Sequence, residues 1–304
     1  MEVAKVVKPF GGFYISHVRD EGNGAIASFR EVVEIGRRAR LPVEISHIKL
    51  GTRSVWGHTA EVAAVFREAK RQRVDLSADL YPYDFWSSTI RVLVPDRDFF
   101  NREKVRRALE DNGGAANIIL ARYSPDPAWQ GRSLADIARR AHLTPEDVYM
   151  QVVRETDGGR GQESVLGISM TEDDIRWFMR RPEVMFSTDG ALQGAHPRGA
   201  GTYPRILGRY VREQKVIPLG EAVRKMTALP ARRLGLRDRG QLRAGLAADV
   251  VVFDPAAVLD HSTIQNPTAP PDGIAYVFVN GQAVVEKGQT TAARPGRVLR
   301  RGRL

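Results

Sequence analysis

At 304 residues, 42% apolar and 27% charged, the chain is long enough to bury a sizeable core and has the balance of a globular protein. No window approaches the ~20 consecutive apolar residues of a membrane span, and the N-terminus lacks the basic-then-apolar layout of a secretion signal, so a cytoplasmic protein with no membrane partner is expected. The absence of cysteine excludes disulfides and thiolate metal ligands within the chain, and the net charge of +10 rests on 38 arginines against 8 lysines.

Residues 1–11 read as the end of a helix closed by Gly11-Gly12. Two short strands ending in histidine follow, Phe13-Tyr14-Ile15-Ser16-His17 and Val43-Glu44-Ile45-Ser46-His47, and their shared Ile-Ser-His ending recurs at a spacing of 30. Side chains alternate along a strand, so Ile15 and His17 share one face, and Ile45, His47 and Lys49 share another. Between the strands lie a polar turn, Val18-Arg19-Asp20-Glu21-Gly22, and a helix of roughly Ala25 to Arg40, stopped by Pro42. Gly51 to His58 reads as a loop, Thr59 to about Arg73 as a second helix, and Asp75 to Tyr81 as a third strand ended by Pro82. Strand and helix alternating over short connections are the signature of a parallel sheet wrapped by helices. In a parallel barrel the C-terminal strand ends carry the chemistry, so two neighbouring strands would aim two imidazoles at one point.

From Trp86 to about Pro182 the rhythm breaks, with helices near Asp98 to Asp111 and Thr144 to Glu155, a short strand Asn117 to Ala121, and a loop-rich Tyr123 to Gly131. The stretch reads as an insertion on the catalytic face. Glu183 to Asp189 resumes the pattern as a fourth strand tipped with a carboxylate. A Gly- and Pro-rich loop, Gly194 to Pro204, precedes helices around Ile206 to Glu213 and Pro218 to Leu229, with Pro230 opening another turn. Beyond Leu236, Ala248 to Phe253, Ala275 to Val279 and Gln282 to Glu286 read as strands of a small β domain, the last two joined through the hairpin signal Asn280-Gly281.

The arginines favour no nucleic-acid partner. Clustered cations bind phosphates through counterion release, but here they are scattered over helix faces and interleaved with acids, as in Arg67-Glu68-Ala69-Lys70-Arg71. Arg297 to Arg303 is the best basic patch.

The stretches Tyr14 to Glu21, Ile45 to Lys49, Asp79 to Tyr83, Phe186 to Gly190, His196-Pro197-Arg198, Arg224 to Thr227 and Ala248 to Asp254 together resemble the amidohydrolase superfamily, most closely its N-acyl-D-amino-acid deacylase (D-aminoacylase) branch. The resemblance implies an α/β fold: a partial (β/α)8 TIM-type barrel, its second half with strands 5–8, and a C-terminal β-sandwich segment. The corresponding domains are 1–235, including the insertion at about 86–182, and 236–304. It further implies hydrolysis of a small N-acyl amino acid with the aid of Zn2+. His17 and His47 match metal ligands on the fifth and sixth strands, and Asp189 a general base on the eighth. Lys49 matches a lysine for the substrate carboxylate and Tyr81 a tyrosine near the scissile carbonyl, with Arg198 a second cation for the carboxylate. Zinc takes neutral imidazole nitrogens and lowers the pKa of a bound water toward ~7, and a nearby carboxylate can move the proton to a leaving amine. His58, His142 and His261 read as surface or local-structure residues, and Asp79 as a buried hydrogen-bond partner.

The family's first barrel half supplies a His-x-His or His-x-Asp pair and a cysteine ligand, and this chain has neither. Two histidines and one aspartate fall short of a four-coordinate zinc shell, so the site is expected to be incomplete in this chain. Three readings follow: the C-terminal portion of a deacylase; a cyclic-amide hydrolase of the dihydroorotase or hydantoinase type; and a non-catalytic remnant or subunit that needs a partner, either an N-terminal half or a second copy.

Overall fold

The computed structural model describes residues 2–191 and 194–300. The chain divides into two compact units, one of residues 1–78 and 83–177, the other of residues 79–82 and 178–304.

The first unit opens with α1 (Glu2–Val6) and a 3-10 turn that closes at Gly11, whose φ of 66° is the left-handed geometry the Gly11-Gly12 pair predicts. The chain then alternates through β1 (Tyr14–Ser16), α2 (Ala25–Ala39), β2 (Val43–Ile45), α3 (Thr59–Arg71) and β3 (Leu76–Leu80). β1 pairs with β2 in parallel, Tyr14 opposite Val43 and Ser16 opposite Ile45, and β2 pairs with β3 in parallel, Val43 opposite Leu76. Every residue of β2 and β3 is buried, as expected of strands covered on both faces, whereas β1 leaves Ile15 exposed. The polar groups inside this sheet pair with each other: Ser77 donates to the Glu44 carboxylate at 3.1 Å. α2 and α3 turn Phe29, Val32, Val33, Val62, Val65 and Phe66 inward, the 3.6-residue stripe that the sequence carries.

The interrupted stretch has its own sheet and core. β4 (Phe85–Ser88), α4 (Arg102–Asp111), β5 (Ile118–Tyr123), β6 (Arg132–Ser133), α5 (Leu134–Ala141), α6 (Pro145–Glu155) and β7 (Glu163–Ile168) build an antiparallel sheet of order β4-β7-β5-β6. Val105, Leu109, Leu120, Ile137, Val152 and Val165 lie in one buried cluster beside it. Asn101, Ser133 and Thr144 cap the three helices, Thr144 through a capping box with Asp147. β5 runs on to Tyr123, whose ring stacks on Trp129 at 5.4 Å, so the segment expected to be loop from Tyr123 is anchored at both ends.

α7 (Glu172–Arg180) leads to β8 (Val184–Phe186), which follows β3 in the sheet order β1-β2-β3-β8. In the second unit Ser187 N–H donates to the Leu80 carbonyl at 3.1 Å, and the Ser187 hydroxyl to the Asp79 carboxylate, the buried partnership expected for Asp79. The predicted loop over Gly194 to Pro204 is instead mostly helix α8 (Arg198–Arg205), running into a π-helical segment Ile206–Glu213. Burial of Gly201, Thr202 and Pro204 holds these weak helix formers in place, and Pro204, which offers no N–H, stands at the changeover. After α9 (Leu219–Met226), Pro230 does not open a turn. It sits in the first turn of α10 (Ala228–Leu234), where its missing N–H would have no helical partner anyway. β9 (Val250–Phe253), β10 (Ile274–Val279), β11 (Gln282–Glu286) and β12 (Gln289–Thr290) form an antiparallel sheet, with Asn280 and Gly281 both at positive φ in the predicted hairpin.

Many surface arginines are tied down by acids a few residues away in sequence. Glu34 holds Arg37 and Arg38, Glu103 holds Arg106 and Arg107, and Asp136 holds Arg132, Arg139 and Arg140. The end of the basic patch, Arg301 and Arg303, lies outside the described residues. Among the described residues no helix is long and apolar enough to cross a membrane.

One lysine is spent on packing. Lys225 of α9 is fully buried and donates to the Val184 carbonyl at 2.7 Å and to the Arg181 carbonyl, tying α9 to the start of β8. Burial lowers its pKa to about 8, outweighing the opposing pull of the Glu221 carboxylate 3.9 Å away. Between that value and the ordinary lysine range the unfolded chain binds the proton that the folded chain has released, so stability rises with pH there. Urea unfolding should therefore show ΔG increasing from pH 8 to 10.5, by up to roughly 3 kcal/mol. A Lys225→Met variant should lose that slope.

Candidate metal centre

The parallel register of β1 and β2 brings their C-terminal ends level, and the Ser46 N–H donates to the Ser16 carbonyl at 3.0 Å just past the ladder. His17 follows directly. The alternation expected to continue through His47 does not, because β2 stops at Ile45 and the chain turns: His47 takes φ 38°, a left-handed conformation that a non-glycine residue adopts at a cost. That turn swings the second imidazole onto the first. His17 Nδ1 lies 3.1 Å from His47 Nε2, with ring centroids 4.9 Å apart. The His17 side chain is 66% exposed and that of His47 only 12%, so the pair has one open and one covered side.

A carboxylate completes the group. Glu21 Oε1 lies 3.0 Å from His47 Nδ1, 3.5 Å from His17 Nδ1 and 2.8 Å from the Lys49 ammonium. His17, Glu21 and His47 each offer a ligand atom within 4.8 Å of the others, a set able to hold a metal ion. The loop that carries Glu21 is fixed at two points. The Asp20 carboxylate accepts from the Gly22 and Gly24 N–H groups at 2.7 and 3.0 Å, and the Glu21 carbonyl accepts from the Gly51 N–H of the other strand-end loop. Burial pushes the Glu21 carboxyl up, but Lys49, His47 and His17 outweigh it and bring it down to about 2. Lys49 is 3% exposed, and its ammonium faces Glu21 Oε1, His47 Nδ1 at 2.6 Å and the His47 carbonyl at 2.8 Å.

The remaining expected residues gather in the second unit. Asp189, at φ 46°, also adopts the left-handed conformation just past its strand. Its Oδ2 accepts from Arg198 Nη1 at 2.7 Å. The Arg198 guanidinium lies over the Tyr81 ring at 4.7 Å, and the buried His196 meets that ring edge-on at 5.7 Å while its Nδ1 accepts from the Arg198 N–H. The structure thus forms two groups, His17, His47 and Lys49 with Glu21 in one unit, and Asp189, Arg198 and Tyr81 with His196 in the other. His261 pairs with Asp272, His142 closes α5 in the left-handed conformation, and His58 lies on the surface near Glu61, the local roles expected of them.

Residues 157–285 match the model of the amidohydrolase family. Over 98–99% of its length the chain is 38% identical to the N-acyl-D-glutamate deacylase and 35% identical to the D-aminoacylase of Alcaligenes xylosoxydans xylosoxydans. The crystal structure of N-acyl-D-glutamate deacylase from Bordetella bronchiseptica, complexed with zinc and a phosphonate mimic of the tetrahedral intermediate, superposes with a TM-score of 0.83 at 35% identity. A D-aminoacylase structure gives the same score at 34% identity. The chain is thus similar to the deacylases of the amidohydrolase family. It spans 56–58% of the length of these relatives, and its mixed α/β fold is that of the corresponding part of the deacylase structures.

Within this amidohydrolase-related chain, Glu21 is the group that reading by sequence passed over. It stands in a polar turn that any strand-to-helix connection could carry, and its only signal is the spacing of four from His17 with Lys49 two residues beyond the second histidine. The network makes a sharp energetic statement. Lys49→Met leaves the Glu21 carboxylate largely buried without its main cation, a loss of roughly 2–4 kcal/mol in urea unfolding, and adding Glu21→Gln in the same chain should recover part of it.

Proposed function

We propose that the chain is the C-terminal portion of a zinc-dependent hydrolase that cleaves the amide bond of N-acyl-D-amino acids to a carboxylate and a free D-amino acid. In this reading β1, β2, β3 and β8 are strands 5–8 of a (β/α)8 barrel. Residues 1–235 form the partial barrel with its insertion at about 86–182, and 236–304 contribute the β-sandwich segment. The protein acts in the cytoplasm and works with an N-terminal half or as a homo-oligomer.

The observation that carries the reading is the pair of imidazoles at consecutive strand ends, 3.1 Å apart, in a chain 35–38% identical to two deacylases. Two imidazoles beside a carboxylate are a donor set that suits zinc. His17 and His47 would hold it, and when bound it supplies Lewis acidity toward a carbonyl oxygen and a water. Asp189 takes up a proton and returns it to the leaving amine, with Arg198 Nη1 at 2.7 Å fixing the orientation of its carboxylate. Tyr81 offers its phenol near the scissile carbonyl, held by Arg198 on its face and His196 at its edge. Lys49 and Arg198 are the cations for the substrate's α-carboxylate, Lys49 by exchanging a partner within its cluster of acceptors.

The test is to join the chain to the N-terminal portion of a D-aminoacylase. N-acetyl-D-glutamate and N-acetyl-D-aspartate are then assayed beside a hydantoin and dihydroorotate. Turnover of the N-acetyl-D-amino acids is expected, with His47→Asn abolishing zinc content and turnover together. Asp189→Asn should lower kcat about 10²–10⁴-fold with zinc retained. Turnover of the cyclic amides alone, or full zinc content in His47→Asn, would sink the reading.

A further inference from the structure

The deacylase reading leaves two histidines with too few protein ligands. We infer that Glu21 is a third protein ligand, and that His17, Glu21 and His47 hold a divalent transition-metal cation using groups from residues 17–47 alone. The inference rests on the assignment of the two histidines as ligands and goes beyond it in naming the carboxylate and in making the isolated chain competent to bind.

Spacing is the first support. Ligand atoms ~2.0–2.2 Å from a tetrahedral zinc stand about 3.3–3.6 Å from one another. His17 Nδ1 is 3.1 Å from His47 Nε2 and 3.5 Å from Glu21 Oε1, two edges near that separation, and the three residues each offer a ligand atom within 4.8 Å of the others. Donor chemistry is the second: two imidazoles and one carboxylate form a complete protein set for a catalytic zinc, with the fourth position left open. Construction is the third. Glu21 is not a surface acid that happens to lie nearby, because the Asp20 turn and the bond from Gly51 N–H to the Glu21 carbonyl fix its backbone between the two strand ends.

Lys49 makes the inference testable against its plainest rival, in which Glu21 only neutralises the lysine. The ammonium shares Glu21 Oε1 at 2.8 Å and places a positive charge beside the metal position. Removing it should strengthen binding of a dication, and Glu21 should matter for the ion whether or not the lysine is there.

The experiment is a Co2+ titration of the full chain, with no added N-terminal half and no substrate, read by visible absorption and by competition with a chelating dye. The unmutated chain should take up one Co2+, with Lys49→Met binding more tightly. Glu21→Gln should weaken binding at least tenfold in both the unmutated and the Lys49→Met backgrounds, and His17→Asn or His47→Asn should abolish it. Circular dichroism reports folding, and if Glu21→Gln is unfolded, Glu21→Asp, which keeps a carboxylate, should retain one Co2+ with a shifted spectrum. Equal affinities for Lys49→Met with and without Glu21→Gln overturn the inference while leaving the histidines as ligands. So does an Asp variant that folds and binds no Co2+. No uptake by the unmutated chain overturns it outright, and uptake unaffected by either histidine variant overturns the deacylase assignment as well.

Discussion

The parallel pairing of β1 with β2 is the constraint on which the candidate site depends. Because Ser16 and Ile45 are opposite each other, the residues after them leave the sheet side by side, and no long-range fold is needed to bring their side chains together. A slip of one residue would send every side chain of β1 to the other face. The register is held by burial, since β2 lies between β1 and β3 with all of its residues covered. The local turn at His47 then does the fine aiming that a regular strand could not, and the strained φ of 38° is a small energetic concession for it.

The chain contains two buried lysines that solve the same problem differently. Lys49 is given a carboxylate, and Glu21 is in turn given three positively inclined neighbours, so the charges in this group answer one another. Lys225 is given two main-chain carbonyls, which accept its hydrogen bonds but carry no full charge, with the Glu221 carboxylate farther off at 3.9 Å. The first arrangement keeps ionised groups ready at a strand end, where chemistry is built in parallel α/β folds; the second anchors a helix to the opposite, N-terminal end of a strand, where packing is the only task.

Much of this was legible in the residues. The Ile-Ser-His repeat, the apolar stripes of α2 and α3, and the Asn280-Gly281 hairpin are local signals, and each appears where its periodicity or turn chemistry places it. What could not be read depends on contacts far apart in the chain. β7 contains Gly167 and alternates poorly, and it is a strand because β4 and β5 pair with it on either side. α8 is written in glycine, threonine and proline, and exists because Gly201, Thr202 and Pro204 in its second half are buried. Glu21 has no pattern of its own, and its partner, the second strand's histidine, lies 26 residues downstream. The left-handed turn at His47 was equally hidden, since Ser-His-Ile is unremarkable strand sequence until the chain bends.

The tethered arginines along α2, α4 and α5 bear on how the protein responds to heat. At room temperature an exposed Glu–Arg pair contributes little, because water solvates both ends nearly as well as they solvate each other. Ionic hydration weakens on warming, so clusters such as Asp136 with its three arginines gain in net worth as the hydrophobic contribution levels off. These helices should therefore fray last when the molecule is warmed at low ionic strength, and lose that advantage in concentrated salt.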